Sequence, residues 1–379
     1  MTDADHRVHG VGQEDVAPDW PPLQSAEIEA VLAGYPQLAH GTQRIVWHSP
    51  RPLSAAALVE TVQGRLFVKR HHLSVRTAAC LEEEHRLIAH LRQAGIPVVE
   101  VLADAQGRTA VTHRTWTYEV HRAGRGEDVY RQTASWTPLT DTSRARAAGA
   151  MLARLHRAAD GYRAPQRSTH LLVARDDLIR AEDPIAALQA QLHERPALAA
   201  WLRARDWQAD FQRHLLPWHR GLAERLREVP RLWAHNDWHV SNLLWQCADD
   251  ATHIASVLDF GLASPTSAMF DLATAIERNA IAWLALERGA GAVHIDTALA
   301  LIDGYRQLLP LHAGALRLLA DLLPLVHLDF ALSEVEYFHG ITRSLANADV
   351  AYEVFLLGHA QWFSTAPGQA LLQALRAAA

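Results

Sequence analysis

Three side chains near the middle of the chain have the types and the spacing for phosphoryl chemistry. The segment His235-Asn236-Asp237-Trp238-His239-Val240-Ser241-Asn242 reads His-x-Asp, four further residues, then Asn, and Asp259-Phe260-Gly261 follows it. A tight loop with this spacing aims the Asp237 carboxylate at an attacking hydroxyl while Asn242 turns its amide oxygen toward Mg²⁺. The hairpin that follows brings Asp259 back over the same cation. Magnesium takes hard oxygen ligands and keeps waters, so one amide, one carboxylate and the phosphates of ATP suffice. With 23 His, 23 Asp and four Asn in 379 residues, chance placement gives only about 0.015 matches to the first part of this pattern.

A second signal is the lysine count. Of 36 basic residues, 35 are arginine and one, Lys69, is lysine. A surface cation can usually be either; a site that needs a compact ammonium on a flexible stem cannot take the planar guanidinium fork. Other chemistries fit poorly. His235 and His239 stand four apart, but a zinc protease would need its general-base Glu where Asn236 stands. His235 is better read as structural, holding the loop. No Gly-x-Ser-x-Gly elbow occurs. His71-His72 are expected at a solvated strand end.

These residues need elements to position them. Residues 1–22 carry Gly10, Gly12, Pro18, Pro21 and Pro22 and are expected to be a flexible tail. Strand patterns follow at 43–48, 57–62 and 66–70, with a turn at Gln63-Gly64, and Lys69 ends the third of them. A helix is expected over 75–94, with Gly95 and Pro97 closing it, then strands near 108–112 and 115–121. Five strands and one helix make a small α+β lobe. From about 140 the pattern is mostly helical: a helix to about 159 capped by Asp141, Thr142 or Ser143, helices within 170–228, a hairpin over 242–260, and helices again from 270 to 379.

Composition is that of a globular chain, 49% hydrophobic and 21% charged. A formal charge of −6 argues against a nucleic-acid partner. Two cysteines cannot build a disulfide framework or a four-Cys metal site and suit a reducing interior. No apolar run is long enough to span a membrane and the start lacks signal-peptide features, so a cytoplasmic location without a membrane partner is expected.

The sequence resembles the aminoglycoside phosphotransferase/choline kinase superfamily, a protein-kinase-like fold that includes homoserine kinase-type enzymes. The likeness covers nearly the whole chain after the tail. Besides the loop motifs it rests on Gly149, Leu152, Ala153, Leu155 and His156, which match a Gly-x-x-Leu-Ala-x-Leu-His helix, and on Asp271-Leu272-Ala273. The resemblance implies a two-lobe α+β fold: a nucleotide-binding lobe over 23–118, a hinge at 119–125, and a helical catalytic and substrate lobe over 126–379. It implies that Lys69 meets the α/β-phosphates with Glu84 of the next helix as partner, that Glu119, Val120 and His121 offer backbone groups to adenine, and that Asp271 grips the catalytic loop. ATP and Mg²⁺ are then the cofactors, with Asn242 and Asp259 on the metal and Asp237 as the catalytic residue. The acceptor is expected to be a small-molecule hydroxyl. Glu277, Arg278, Trp283 and Glu334 are the candidate substrate residues. Carboxylates with aromatics suit an amine-bearing alcohol, such as an aminoglycoside or choline-like compound, whereas Arg278 receiving a carboxylate would favour a homoserine-like one. The alternatives are a kinase for protein Ser/Thr hydroxyls and a catalytically idle nucleotide-binding regulator. Two departures stand out: loop 49–54 has no glycine, and Gly261 stands where many relatives carry a further acidic residue.

Overall fold

The computed structural model describes residues 6–378 except 13, 39, 40, 42, 132, 135, 248, 250 and 251. Two compact units divide the chain: residues 1–125 with 256–258, and residues 126–255 with 259–379.

In the first unit Val8–His9 (β1) pairs antiparallel with Asp15–Val16 (β2), inside the segment expected as a tail, and His9 N–H donates to the Pro50 carbonyl. The main sheet holds Arg44–His48 (β3), Ala55–Thr61 (β4), Gly64–His72 (β5), Ala110–His113 (β6) and Trp116–Arg122 (β7) in the order β3-β4-β5-β7-β6, all antiparallel. Gly64 follows the two-residue Val62-Gln63 connection at φ +108°, a conformation that glycine takes without Cβ strain.

Strand alternation sorts the sheet's two faces. Leu66, Val68, Tyr118 and Val120 pack with Ile28 and Leu32 of Ser25–Leu32 (α1). On this face Glu27 of α1 accepts from Arg70 Nη1 and from the Tyr118 hydroxyl, both at 2.6 Å. The sequence reading did not anticipate α1, whose short pattern sits among polar residues. Lys69, His71, Glu119 and His121 therefore belong to the opposite face. There Ala78–Gln93 (α2) buries Leu81, Leu87, Ile88 and Leu91, with the Thr77 hydroxyl capping it by accepting from Cys80 N–H at 3.2 Å.

The second unit opens with Thr142–Ala159 (α3), capped by the Asp141 carboxylate, which accepts from Ser143 and Arg144 N–H. It packs against helix Ile295–Arg306 at very close range. A Cβ on Gly149 would overlap the Leu301 carbonyl, and one on Gly304 would overlap that of Arg146. The helices expected within 170–228 are short, and Pro184, Pro196 and Pro217 each sit in the first turn of a new one.

Leu243–Trp245 (β9) pairs with Ile254–Val257 (β10). The expected strand to residue 260 stops at Val257, because Asp259 takes a left-handed φ of +55°. A second pair, Leu232–Ala234 (β8) with Ser264–Thr266 (β11), flanks residues 235–263 and was not foreseen. Helices Ala268–Ala280, Ala313–Leu322, Leu328–Tyr337 and Ala366–Ala377 complete the unit. Among the described residues no helix is long and apolar enough to cross a membrane, and of the two cysteines Cys80 is buried and Cys247 exposed.

Candidate active site

The loop after β8 is held by one buried carboxylate. Asp271, fully buried in the first turn of helix Ala268–Ala280, accepts from His235 N–H (2.9 Å) and Asn236 N–H (2.8 Å). Its Oδ2 also meets His156 Nε2 at 3.0 Å, and the other nitrogen of that ring meets the Tyr305 hydroxyl at 2.9 Å. Asn236 takes a φ of +60°, a region asparagine tolerates better than most residues. Its amide nitrogen donates to Ser264 and its amide oxygen accepts from the Thr266 hydroxyl at 2.6 Å, which fastens the loop to β11. His235 is buried, with its ring against Trp238 and Phe260 and its Nδ1 accepting from Asp237 N–H.

Beyond Asp237 the loop is pinned again. The Asn279 side chain donates to the Trp238 carbonyl (2.7 Å) and accepts from Val240 N–H (3.0 Å). Trp238 Nε1 donates to the Ala148 carbonyl on α3. Between these anchors Asp237 keeps a side chain 16% exposed. Asn242 Nδ2 donates to the Asp237 carbonyl (2.9 Å) and to its Oδ2 (3.2 Å), leaving the amide oxygen as the atom suited to a cation. Arg278 Nη1 pairs with Asp237 Oδ1. Asp259 is exposed and lies within electrostatic range of Asp237. Burial raises the Asp237 pKa; Arg278 pulls it down, Asp259 pushes it up, and the balance stays above the ordinary value.

The family model for the phosphotransferase enzyme family matches residues 53–311. The chain belongs to that family. Membership makes it a nucleotide-dependent phosphotransferase acting on a hydroxyl group. No curated protein matches its sequence. Solved structures share the fold of this phosphotransferase at low identity. An aminoglycoside phosphotransferase from Alicyclobacillus acidocaldarius is 16% identical with a TM-score of 0.52, over 94% of this chain and 97% of that one. The amicoumacin kinase hAmiN, in complex with AMP-PNP, Ca²⁺ and Ami, gives 15% and 0.56 over 94% and 92%. A microcompartment-associated aminopropanol kinase gives 17% and 0.55 over 92% and 100%. The protein-kinase-like α+β fold expected from the sequence is therefore the fold of this phosphotransferase.

The four candidate substrate residues lie in the second unit. Glu277, 1% exposed, faces His327 Nδ1 at 3.8 Å and His359 Nε2 at 3.5 Å, and Glu334 faces His327 Nε2 at 3.6 Å. Burial alone would raise the Glu277 pKa, but His359, His327 and Arg278 hold it below the usual value. Trp283 stacks on His359 with ring centroids 4.6 Å apart, and the Arg278 guanidinium lies 5.4 Å from the Trp136 ring. The pairing of Arg278 with Asp237 escaped the sequence reading. The available signal was its place seven residues, two helical turns, after Asp271 on the same helix.

In the first unit Lys69 is half-buried on β5 and stands in register with Glu119, while Glu84 is buried on α2. The positions expected to meet adenine lie inside β7 rather than in a connection. The Val120 carbonyl accepts from Leu102 N–H at 2.8 Å and His121 bridges Val101, so part of that backbone is engaged in pairing. The Glu119 and His121 side chains meet each other within the sheet face (Glu119 Oε2 to His121 Nε2, 2.9 Å). His71, expected in solvent, is buried there too, because its strand position points to the α2 side.

Proposed function

We propose that this phosphotransferase moves the γ-phosphoryl group of ATP, with Mg²⁺, to a hydroxyl of a small amine-bearing alcohol. The observation that carries the reading is the Asp237 carboxylate, locked by Asn242 and Arg278 on a loop that Asp271 and Asn279 fasten to the helical unit. A carboxylate with a raised pKa orients the acceptor hydroxyl and takes its proton as the bond to phosphorus forms. Asn242 and Asp259 offer an amide and a carboxylate oxygen, a hard donor set that fits magnesium. When bound, that cation neutralises charge on the phosphates. Lys69 is assigned to the phosphates and Glu84 to its support, as in the family pattern.

Arg278 is occupied by Asp237, which argues against its receiving a substrate carboxylate and supports an acceptor without one. The carboxylates Glu277 and Glu334, beside Trp283 and Trp136, suit an amine. Among the solved structures of the same fold, the aminopropanol kinase is by its name a kinase of an amine-bearing alcohol.

The test is phosphotransfer from Mg·ATP to a panel of aminoglycosides, choline-like and simple amino alcohols, and homoserine. Turnover should appear with amine-bearing alcohols. Asp237→Asn should abolish most of it while nucleotide still raises the melting temperature, since ligands of the folded state stabilise it. Undiminished turnover in Asp237→Asn would remove this assignment.

A further inference from the structure

Three imidazoles converge on one buried carboxylate in the first unit, on the sheet face that α2 covers. His85 Nε2 of α2 lies 2.8 Å and His121 Nε2 of β7 lies 2.9 Å from the same oxygen, Glu119 Oε2. His71 Nε2 of β5 lies 3.1 Å from Oε1. Glu119 is 1% exposed, His85 3% and His71 7%. The ligating atoms of His85, Glu119 and His121 all lie within 4.8 Å of one another.

We propose that His85, Glu119 and His121 form a binding site for one zinc-class divalent cation. None of the three is assigned a side-chain role in the phosphoryl-transfer reading, so the proposal does not depend on it. Two imidazole nitrogens and a carboxylate oxygen are the three-ligand set that leaves a fourth position for water. Tetrahedral bonds of 2.0–2.1 Å put ligand atoms about 3.3 Å apart, so the two short contacts need to open by only about half an ångström.

The surroundings favour a cation between these atoms. His85 Nδ1 lies 2.9 Å from the Thr109 hydroxyl, a group that can accept its proton and so turn the lone pair of Nε2 toward Glu119. A lone pair facing a carboxylate oxygen at that distance is repulsive unless a proton or a metal lies between them. His71 steadies the far oxygen, as outer partners of metal-bound carboxylates do. A cation here would tie α2 to β7, one residue from Glu84 and across the strand pair from Lys69.

The test uses the full chain, stripped with chelator and titrated with Zn²⁺ by calorimetry and thermal shift, with Co²⁺ as a spectroscopic probe. One tight equivalent is expected, with a raised melting temperature and the visible absorption of four-coordinate Co²⁺. His121→Ala should weaken Zn²⁺ binding at least tenfold and abolish the thermal shift. His121 has a side chain 13% exposed, and a far-ultraviolet melt establishes that the variant folds. His85→Gln is the second variant, needed because 23 histidines offer weak surface sites; the exposed His113→Ala should change nothing. Absence of a tight equivalent in the parent chain, or one that survives both His121→Ala and His85→Gln at unchanged affinity, overturns the proposal.

Discussion

Asp271→Asn tests the mechanical basis of the loop. The side chain is fully buried and accepts three hydrogen bonds, from two backbone N–H groups at 2.8 and 2.9 Å and from His156 at 3.0 Å. Asparagine keeps the shape but replaces one oxygen by an amino group. In the less costly orientation that group faces the N–H of Asn236, donor against donor. A buried N–H left unpaired costs about 1–3 kcal/mol, and the other two bonds lose the roughly 1 kcal/mol each that the charge added. The total is about 3–5 kcal/mol, in line with the cost of breaking a buried polar pair. For a chain of 379 residues, with an unfolding entropy of about 2.1 cal/mol/K per residue, that corresponds to a fall of roughly 4–6 °C in melting temperature. Asn236 precedes Asp237, so the freed backbone also misplaces the carboxylate proposed to take the acceptor's proton, and kcat should fall at least tenfold while nucleotide KM changes less. Differential scanning fluorimetry and a coupled phosphotransfer assay read the two effects. An Asp271→Asn variant that melts and turns over like the parent would refute the claim that this carboxylate holds the loop.

Other perturbations follow from equally local facts. Gly149→Ala puts a methyl group into the Leu301 carbonyl and should destabilise by about 1–3 kcal/mol or more, read by urea melts; a neutral result would mean that α3 and its partner helix separate at no cost. Arg278→Gln removes the cation that pulls down the Asp237 pKa, so the acid limb of the kcat/KM profile should move to higher pH. An unmoved limb would detach either Arg278 from Asp237 or Asp237 from the reaction. Burial, aided by Asp177 and opposed by Arg195 and Arg175, raises Asp329 to about 7. The folded chain then binds an extra proton between about pH 4 and 7 that the unfolded chain releases, so stability falls as pH rises through that window. Asp329→Asn should therefore gain on the parent above pH 7, by up to about 4 kcal/mol, and not near pH 4; melting differences equal at both ends would contradict this.

The legible features share a physical character. The loop motif, the Asp141 cap and the Gln63-Gly64 connection are set by atoms a few residues apart, where chain geometry alone dictates who meets whom. Element boundaries were harder wherever a single backbone angle intervenes. Asp259 at positive φ ends β10 at Val257, short of the apolar run to Phe260, which periodicity cannot register. Within 170–228 the sequence reading expected helices without bounds, and the prolines at 184, 196 and 217 each start a short one.

The amino-acid sequence by itself determined the chemistry on offer: one ammonium in an arginine background, a carboxylate and an amide at catalytic spacing, and a family pattern to place them. Packing decided how those groups are held. Asp271 meets His156, 115 residues away, and Arg278 closes on Asp237 across 41. Three histidines scattered from 71 to 121 gather on Glu119 only because two strands lie in register under a helix. Side chains distant along the chain meet through burial and register, properties of the folded whole that no local spacing encodes.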